Sequence, residues 1–183
     1  MTDAIGGLVP LERTASGHHQ IHLWGFMGCG KSTVGKLVAR ALVWNYIDLD
    51  ALVARHTGRS VREIFAEESE DAFRRYESHA LKQALQKPRT VVALGGGTPT
   101  QPDNRMVASG RAFSVWLRVG FEACVDRTAA ATSRPLLDDL EAARQLFRER
   151  TAHYAHADAT VDGEQAPEAV AAALVAQVRG EAS

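Results

Sequence analysis

Gly25, then four residues, then Gly30-Lys31-Ser32 is the spacing of a loop that wraps a chain of phosphates. Phosphates lying at a helix N-terminus meet unpaired backbone N–H groups and the positive end of the helix dipole, so the backbone must approach them closely. Gly25, Gly28 and Gly30 leave room for that approach, and Cys29 fills a slot open to any small residue. Lys31 would reach the β- and γ-phosphates, and the Ser32 hydroxyl would ligate Mg2+. A glycine-rich turn without a ligand is the competing reading, and the flanks argue against it. Ile21, Leu23 and Trp24 can form a short buried strand before the loop, and Val34, Leu37, Val38, Ala41 and Leu42 recur at helical spacing after it. At the start of that helix Cys29 reads first as a small filler and second as a thiol with a lowered pKa.

Further acids and glycines fall where strands end. Trp44 to Ile47 reads as a second strand running into Asp48-Leu49-Asp50, and alternation puts Asp48 and Asp50 on one side of an extended chain. Ligands of open α/β sheets sit beyond the carboxyl ends of the strands, so both acids would face the crevice of the phosphate loop. There they suit a metal-bound phosphate and an alcohol to be phosphorylated; away from the loop they would serve equally as a solvated turn or, for Asp50, a helix N-cap. Gly95-Gly96-Gly97 closes the apolar run Thr90 to Leu94, and either lets backbone N–H groups close on a ligand or makes a tight turn. Arg74 and Glu77 stand three apart and can touch, though spacing alone favours an exposed helical ion pair. Residues 129–141 combine small side chains, Pro135 and one central cation, Arg134. That composition suits either an ordinary surface loop or a mobile lid that brings positive charge to a transferring phosphoryl group.

The elements that must position these residues follow in order. Residues 1–17 are poor in large apolar side chains and are expected to form a flexible tail, leaving 18–183 as a single domain. Ala51 to His56 looks helical and Thr57-Gly58 breaks it. Ser60 with Glu63 has a capping-box pattern, and a longer helix runs from about Ser69 to Gln86. Pro102 opens a short helix, Ala112 to Leu117 is a strand, and Phe121 to Thr128 is a helix. Leu140 to His156 is a helix carrying Arg150 and Tyr154, Ala159 to Val161 a last strand, and Pro167 to Val178 the closing helix. Strands alternating with helices define an α/β protein with a five-stranded parallel sheet flanked by helices on both faces.

Composition narrows the function classes. The chain has 183 residues, 45% hydrophobic and 23% charged, as expected of one compact domain. Lys+Arg 21 against Asp+Glu 22 leaves a net charge of -1, which supplies no basic field for nucleic acid. No apolar run has the length of a membrane helix. Cys29 and Cys124 are too few for a disulfide framework or a zinc site and point to a reducing cytoplasm. The seven histidines have no metal-ligand spacing that stands out.

Taken together, the motifs resemble those of the shikimate kinases, within the nucleoside-monophosphate-kinase-like group of P-loop enzymes. The resemblance is carried by Gly25-Phe26-Met27-Gly28-Cys29-Gly30-Lys31-Ser32-Thr33, Asp48-Leu49-Asp50, Thr57-Gly58-Arg59-Ser60 with Ile64-Phe65, Phe73-Arg74-Arg75-Tyr76-Glu77, Gly95-Gly96-Gly97 and Arg134-Pro135-Leu136-Leu137, in the family's order and spacing. It runs from about Ile21 to Val178. It implies a kinase domain with substrate-binding helices over about 50–86 and a lid over about 129–141, acting on ATP and shikimate with Mg2+; with the site complete in one chain and no coiled-coil pattern, a monomer is expected. Gly28, Cys29, Gly30, Lys31, Ser32 and Thr33 would hold the ATP phosphates. Asp48, with Ser32, would hold Mg2+, mostly through water, and Asp50 would bind the ring hydroxyls of shikimate and help deprotonate the attacking one. Arg74 and Arg150 would clasp the shikimate carboxylate, with Glu77 orienting Arg74 and Gly95, Gly96 and Gly97 lining the pocket. Arg134 would join Lys31 on the moving phosphoryl group, and Arg127 would stack on adenine opposite the loop before Pro167. The chain departs from the family at Leu49 and Cys29, often small or polar there, at Ala152, usually proline, and in the short acidic loop 162–167. Two rivals stand beside this reading: a kinase of a sugar acid such as gluconate, and a nucleotide-binding regulatory module without catalysis.

Overall fold

Residues 11–129 and 139–181 are described by a computed structural model of the chain. The strands are β1 (Gln20–Trp24), β2 (Asn45–Asp48), β3 (Thr90–Ala93), β4 (Ala112–Arg118) and β5 (Ala159–Asp162). The helices are α1 (Lys31–Leu42), α2 (Leu49–Thr57), α3 (Val61–Glu67), α4 (Glu70–Ala84), α5 (Pro102–Ala108), α6 (Phe121–Ala129), α7 (Leu140–Tyr154) and α8 (Pro167–Arg179), with a 3-10 turn at Thr98–Thr100. The strands form one sheet in the order β2-β3-β1-β4-β5, every pair parallel. All five residues of β1 and all four of β3 are buried, which requires cover on both faces of the sheet. The α/β architecture read from the sequence is therefore the architecture observed.

Register places the site. Asp48 pairs with Ala93, and Leu23 of β1 pairs with both Ala93 and Val115. The carboxyl ends of β2, β3 and β1 thus stop at one level, and the loops that follow them share one rim. Helix starts follow local chemistry: Ser60 and Glu63 close a reciprocal capping box on α3, Ser69 caps α4 and Asp139 caps α7. Gly58 and Gly180 end α2 and α8 in the left-handed conformation. Among the described residues no helix is long and apolar enough to cross a membrane.

Two elements differ from the sequence reading. Asp48 ends β2 and is itself the N-cap of α2, its Oδ1 accepting the Ala51 N–H at 3.3 Å, so Asp50 lies in the first helical turn and not on an extended chain. Aspartate suits a strand end and a helix start alike, and the capping bond decides for the helix. At the N-terminus, composition predicts a flexible tail over 1–17, but within it Thr14 is buried and the Ala15 N–H donates to Val178 O of α8 at 2.7 Å. Trp44 Nε1 donates to Leu11 O, and Glu12 pairs with Arg89 at 3.2 Å. Backbone hydrogen bonds hold this stretch, and its composition gives no sign of them.

Candidate active site

The phosphate loop joins β1 to α1 through Gly25, Gly28 and Gly30, with φ of +147°, +78° and +96°. Gly28 is pressed against the Cys124 carbonyl and the Thr128 hydroxyl of α6, leaving no room for a methyl group. Helix α1 has no side-chain cap, since Gly30 occupies the N-cap, so its first N–H groups point to a ligand site. Lys31 Nζ spans the loop, donating to Gly25 O at 2.8 Å and Phe26 O at 2.9 Å. Ser32 and Thr33 are exposed at the first turn. Cys29 is only 2% exposed, its Sγ 3.8 Å from Lys31 Nζ, and it packs against Gly25 as a filler.

Beside the loop, Ser32 Oγ donates to Asp48 Oδ2 at 2.9 Å, and Tyr46 OH to the same oxygen at 3.4 Å. Burial pushes the Tyr46 phenol up to about 12, so it stays a donor near these carboxylates. A hydroxyl and a carboxylate in contact form a hard-oxygen pair of the kind Mg2+ takes, with water and phosphates supplying the remaining ligands. Among the described residues no group of three or more His, Cys, Asp or Glu could hold a metal.

The three consecutive glycines sit against four charged side chains. A Cβ at Gly95 would lie 2.7 Å from Asp50 Oδ1 and 2.9 Å from Glu77 Oε1. One at Gly96 would lie 3.0 Å from Arg150 Nη1 and 3.3 Å from Tyr154 OH, and one at Gly97 would strike the Arg74 guanidinium. The glycines therefore permit side chains from α2, α4 and α7 to converge on one loop, and more than a tight turn is being served. Glu77 is wholly buried, accepting from Thr98 Oγ1 at 2.6 Å and from Arg74 Nη1 at 2.9 Å. The pair is thus an anchored one and not the exposed pair that spacing favours. Burial raises the Glu77 pKa against the opposing pull of Arg74 and Thr98. On α7, burial lowers the pKa of Arg150, whose guanidinium carbon lies 5.9 Å from the Phe26 ring centre. The helix runs unbroken through Ala152 to Tyr154.

Three neighbours have no role in the sequence reading, though Tyr154 is placed there on one helix with Arg150. Tyr154 OH donates to Gly96 O at 2.6 Å, tying α7 to the glycine loop. Its spacing of one helical turn from Arg150 was the available signal. Thr98 left none, because its partner Glu77 is 21 residues away; Tyr46 stands two before Asp48 on one face of β2, and that alternation was its signal. On the far side of the phosphate loop, Arg127 of α6 donates to Gly163 O at 3.0 Å and Glu164 O at 3.3 Å. Glu164 Oε1 accepts the Gly120 N–H at 2.9 Å, so Arg127 and the loop before Pro167 form one unit. Arg134 and most of the expected lid lie outside the described residues.

Known proteins resemble this chain in sequence and fold. A profile of one family, described as shikimate kinase, matches residues 27–179. A shikimate kinase of Nostoc punctiforme is 37% identical over 160 residues, spanning 85% of this chain and 88% of that protein. Among solved structures, shikimate kinase from Acinetobacter baumannii in complex with shikimate has a TM-score of 0.82 and 32% identity, covering 87% of this chain and 92% of that one. A gluconokinase from Sinorhizobium meliloti reaches a TM-score of 0.58 at 19% identity, covering 88% and 93%, a likeness of fold alone.

Proposed function

The chain belongs to the shikimate kinase family, and from that premise we propose that it transfers the γ-phosphate of ATP to the 3-hydroxyl of shikimate, giving shikimate 3-phosphate and ADP. The observation that carries this reading is the convergence of Asp50, Arg74, Glu77 and Arg150 on Gly95-Gly96-Gly97, across the rim from the phosphate loop. Two guanidiniums, one of them tied to the buried Glu77, beside the carboxylate of Asp50 suit an acceptor that is both an acid and an alcohol.

Arg74 and Arg150 clasp the acceptor carboxylate as charge-assisted donors, and Glu77 fixes the plane of Arg74. Asp50 accepts hydrogen bonds from the ring hydroxyls and takes the proton of the attacking one. The transition state of phosphoryl transfer is loose and rich in charge, so the protein's task is alignment and electrostatic support. Lys31 turns from its loop carbonyls to the β- and γ-phosphates, and Arg134 adds a second cation. Arg127 presents a fixed guanidinium plane to adenine, with the loop ahead of Pro167 opposite. Ser32 and Asp48 would hold Mg2+, which neutralises phosphate charge when bound. The site draws on a single chain, which fits a monomer, and the two cysteines fit the cytoplasm.

A sugar-acid kinase would share the phosphate loop and also take an acid bearing hydroxyls, but the family match and the 37% and 32% identities are to shikimate kinases, and the likeness to the gluconokinase is one of fold alone. A module without catalysis gives no account of Asp50 held against Gly95. ADP release from Mg-ATP, measured with shikimate, with gluconate and with no acceptor, tests all three readings. Turnover with shikimate alone is expected. Turnover only with gluconate would overturn the roles of Asp50, Arg74 and Arg150, and ATP binding without turnover on either would restore the regulatory reading.

A further inference from the structure

Arg74 is engaged by two carboxylates, and they differ in kind. Glu77 is buried and held by two bonds: its side chain is 1% exposed, bonded to Thr98 and to Arg74 Nη1. Glu70, one turn earlier on α4, reaches the guanidinium from the solvent side with its side chain 64% exposed. Its Oε1 accepts from both Nη2 at 2.8 Å and Nε at 3.3 Å, covering the edge that a bidentate acid would use. A pair this exposed adds little to stability, and the helix start already has Ser69 as its cap.

Charge makes the position of Glu70 consequential. Among the described residues, Arg74 already carries two carboxylates, Glu70 and Glu77, before any acid enters. An incoming carboxylate must share or displace one of the two on Arg74, and of these Glu70, 64% exposed against 1% for Glu77, swings into water at small cost. We propose that Glu70 is an internal competitor for the acceptor site, occupying the Nε–Nη2 edge of Arg74 in the free enzyme and giving way to the acceptor's carboxylate. It sets a threshold that a simple acid, lacking hydroxyls to bond Asp50, passes less readily. The proposal rests on Arg74 being the carboxylate site.

The test compares wild type with Glu70→Gln, Glu70→Asp and Arg74→Ala, reading KM for shikimate, kcat, KM for ATP and inhibition by cyclohexanecarboxylate. For Glu70→Gln the expected result is a KM for shikimate lower by about two- to fivefold, matched by tighter inhibition, with the effect on KM and not on kcat. Glu70→Asp, too short to cover the edge, moves the same way, which guards against a folding artefact of one variant. A KM that stays the same or rises in both Glu70 variants overturns the proposal and makes Glu70 a second positioning residue. An unchanged KM in Arg74→Ala overturns the carboxylate site and this inference with it; a raised KM there with no fall in the Glu70 variants overturns only the inference.

Discussion

Gly97 and Arg74 show how a residue without a side chain can define a site. At Gly97 φ is -90°, a conformation open to any residue, so alanine there meets no backbone strain. Its methyl group would instead collide with the Arg74 guanidinium, which Glu77 holds from the other side. Gly97→Ala is therefore expected to raise KM for shikimate about tenfold or more, the loss of one charge-assisted contact, while the unfolding midpoint and KM for ATP stay near wild type. A variant that binds shikimate normally would remove Arg74 from the acceptor site. At this scale the sequence was legible where a motif has a fixed partner offset, as with Lys31 and Ser32 in the phosphate loop. It was not legible for Thr98, whose bond to Glu77 depends on bringing two segments together.

The loop between β1 and α1 separates two effects of glycine at the scale of an element. Gly28 and Gly30 both have positive φ, but only Gly28 is packed, against Cys124 and Thr128 of α6; Gly30 has nothing within 4 Å of a Cβ position. Gly30→Ala is expected to cost only the left-handed backbone, about 1 to 2 kcal/mol. Gly28→Ala adds overpacking against α6 and is expected to cost about 2 to 4 kcal/mol, measurable by urea unfolding. Equal losses would mean that α6 yields to the methyl group. The same scale explains what the sequence showed of the elements. Helices with a capping box or a glycine stop, such as α3 and α2, were readable because the signal lies within a few residues. The chain around Asp50 reads as extended in the sequence and is helical in the structure, because alternation and helix capping make similar demands on aspartate over three residues.

Across the whole molecule, one buried histidine sets a dependence on acid. His22 of β1 is 1% exposed, and Gln20, whose Nε2 donates to Ala84 O and Lys87 O, leaves its Oε1 to accept from His22 Nε2 at 3.1 Å. Burial lowers its pKa from 6.5 to about 4. Unfolded, the ring takes a proton near 6.5; folded, it resists until about 4, so the unfolded chain binds more protons in that window. This contribution is full above pH 6.5 and falls away as the pH drops towards 4, by about 3 kcal/mol at most. His22→Asn, which keeps a donor and cannot titrate, is expected to flatten the urea midpoint between pH 7 and pH 4.5; an unchanged slope would place the acid sensitivity elsewhere. The order β2-β3-β1-β4-β5 was beyond reading from the sequence, since pattern identifies strands but not their neighbours. It bears on biosynthesis. Gln20 pairs with Thr90 on one side and Ala112 on the other, so a chain emerging from the ribosome carries β1 without either neighbour until β3 has been made, and without both until β4 has followed. The phosphate loop, tethered to that strand, is made early and takes its working shape late.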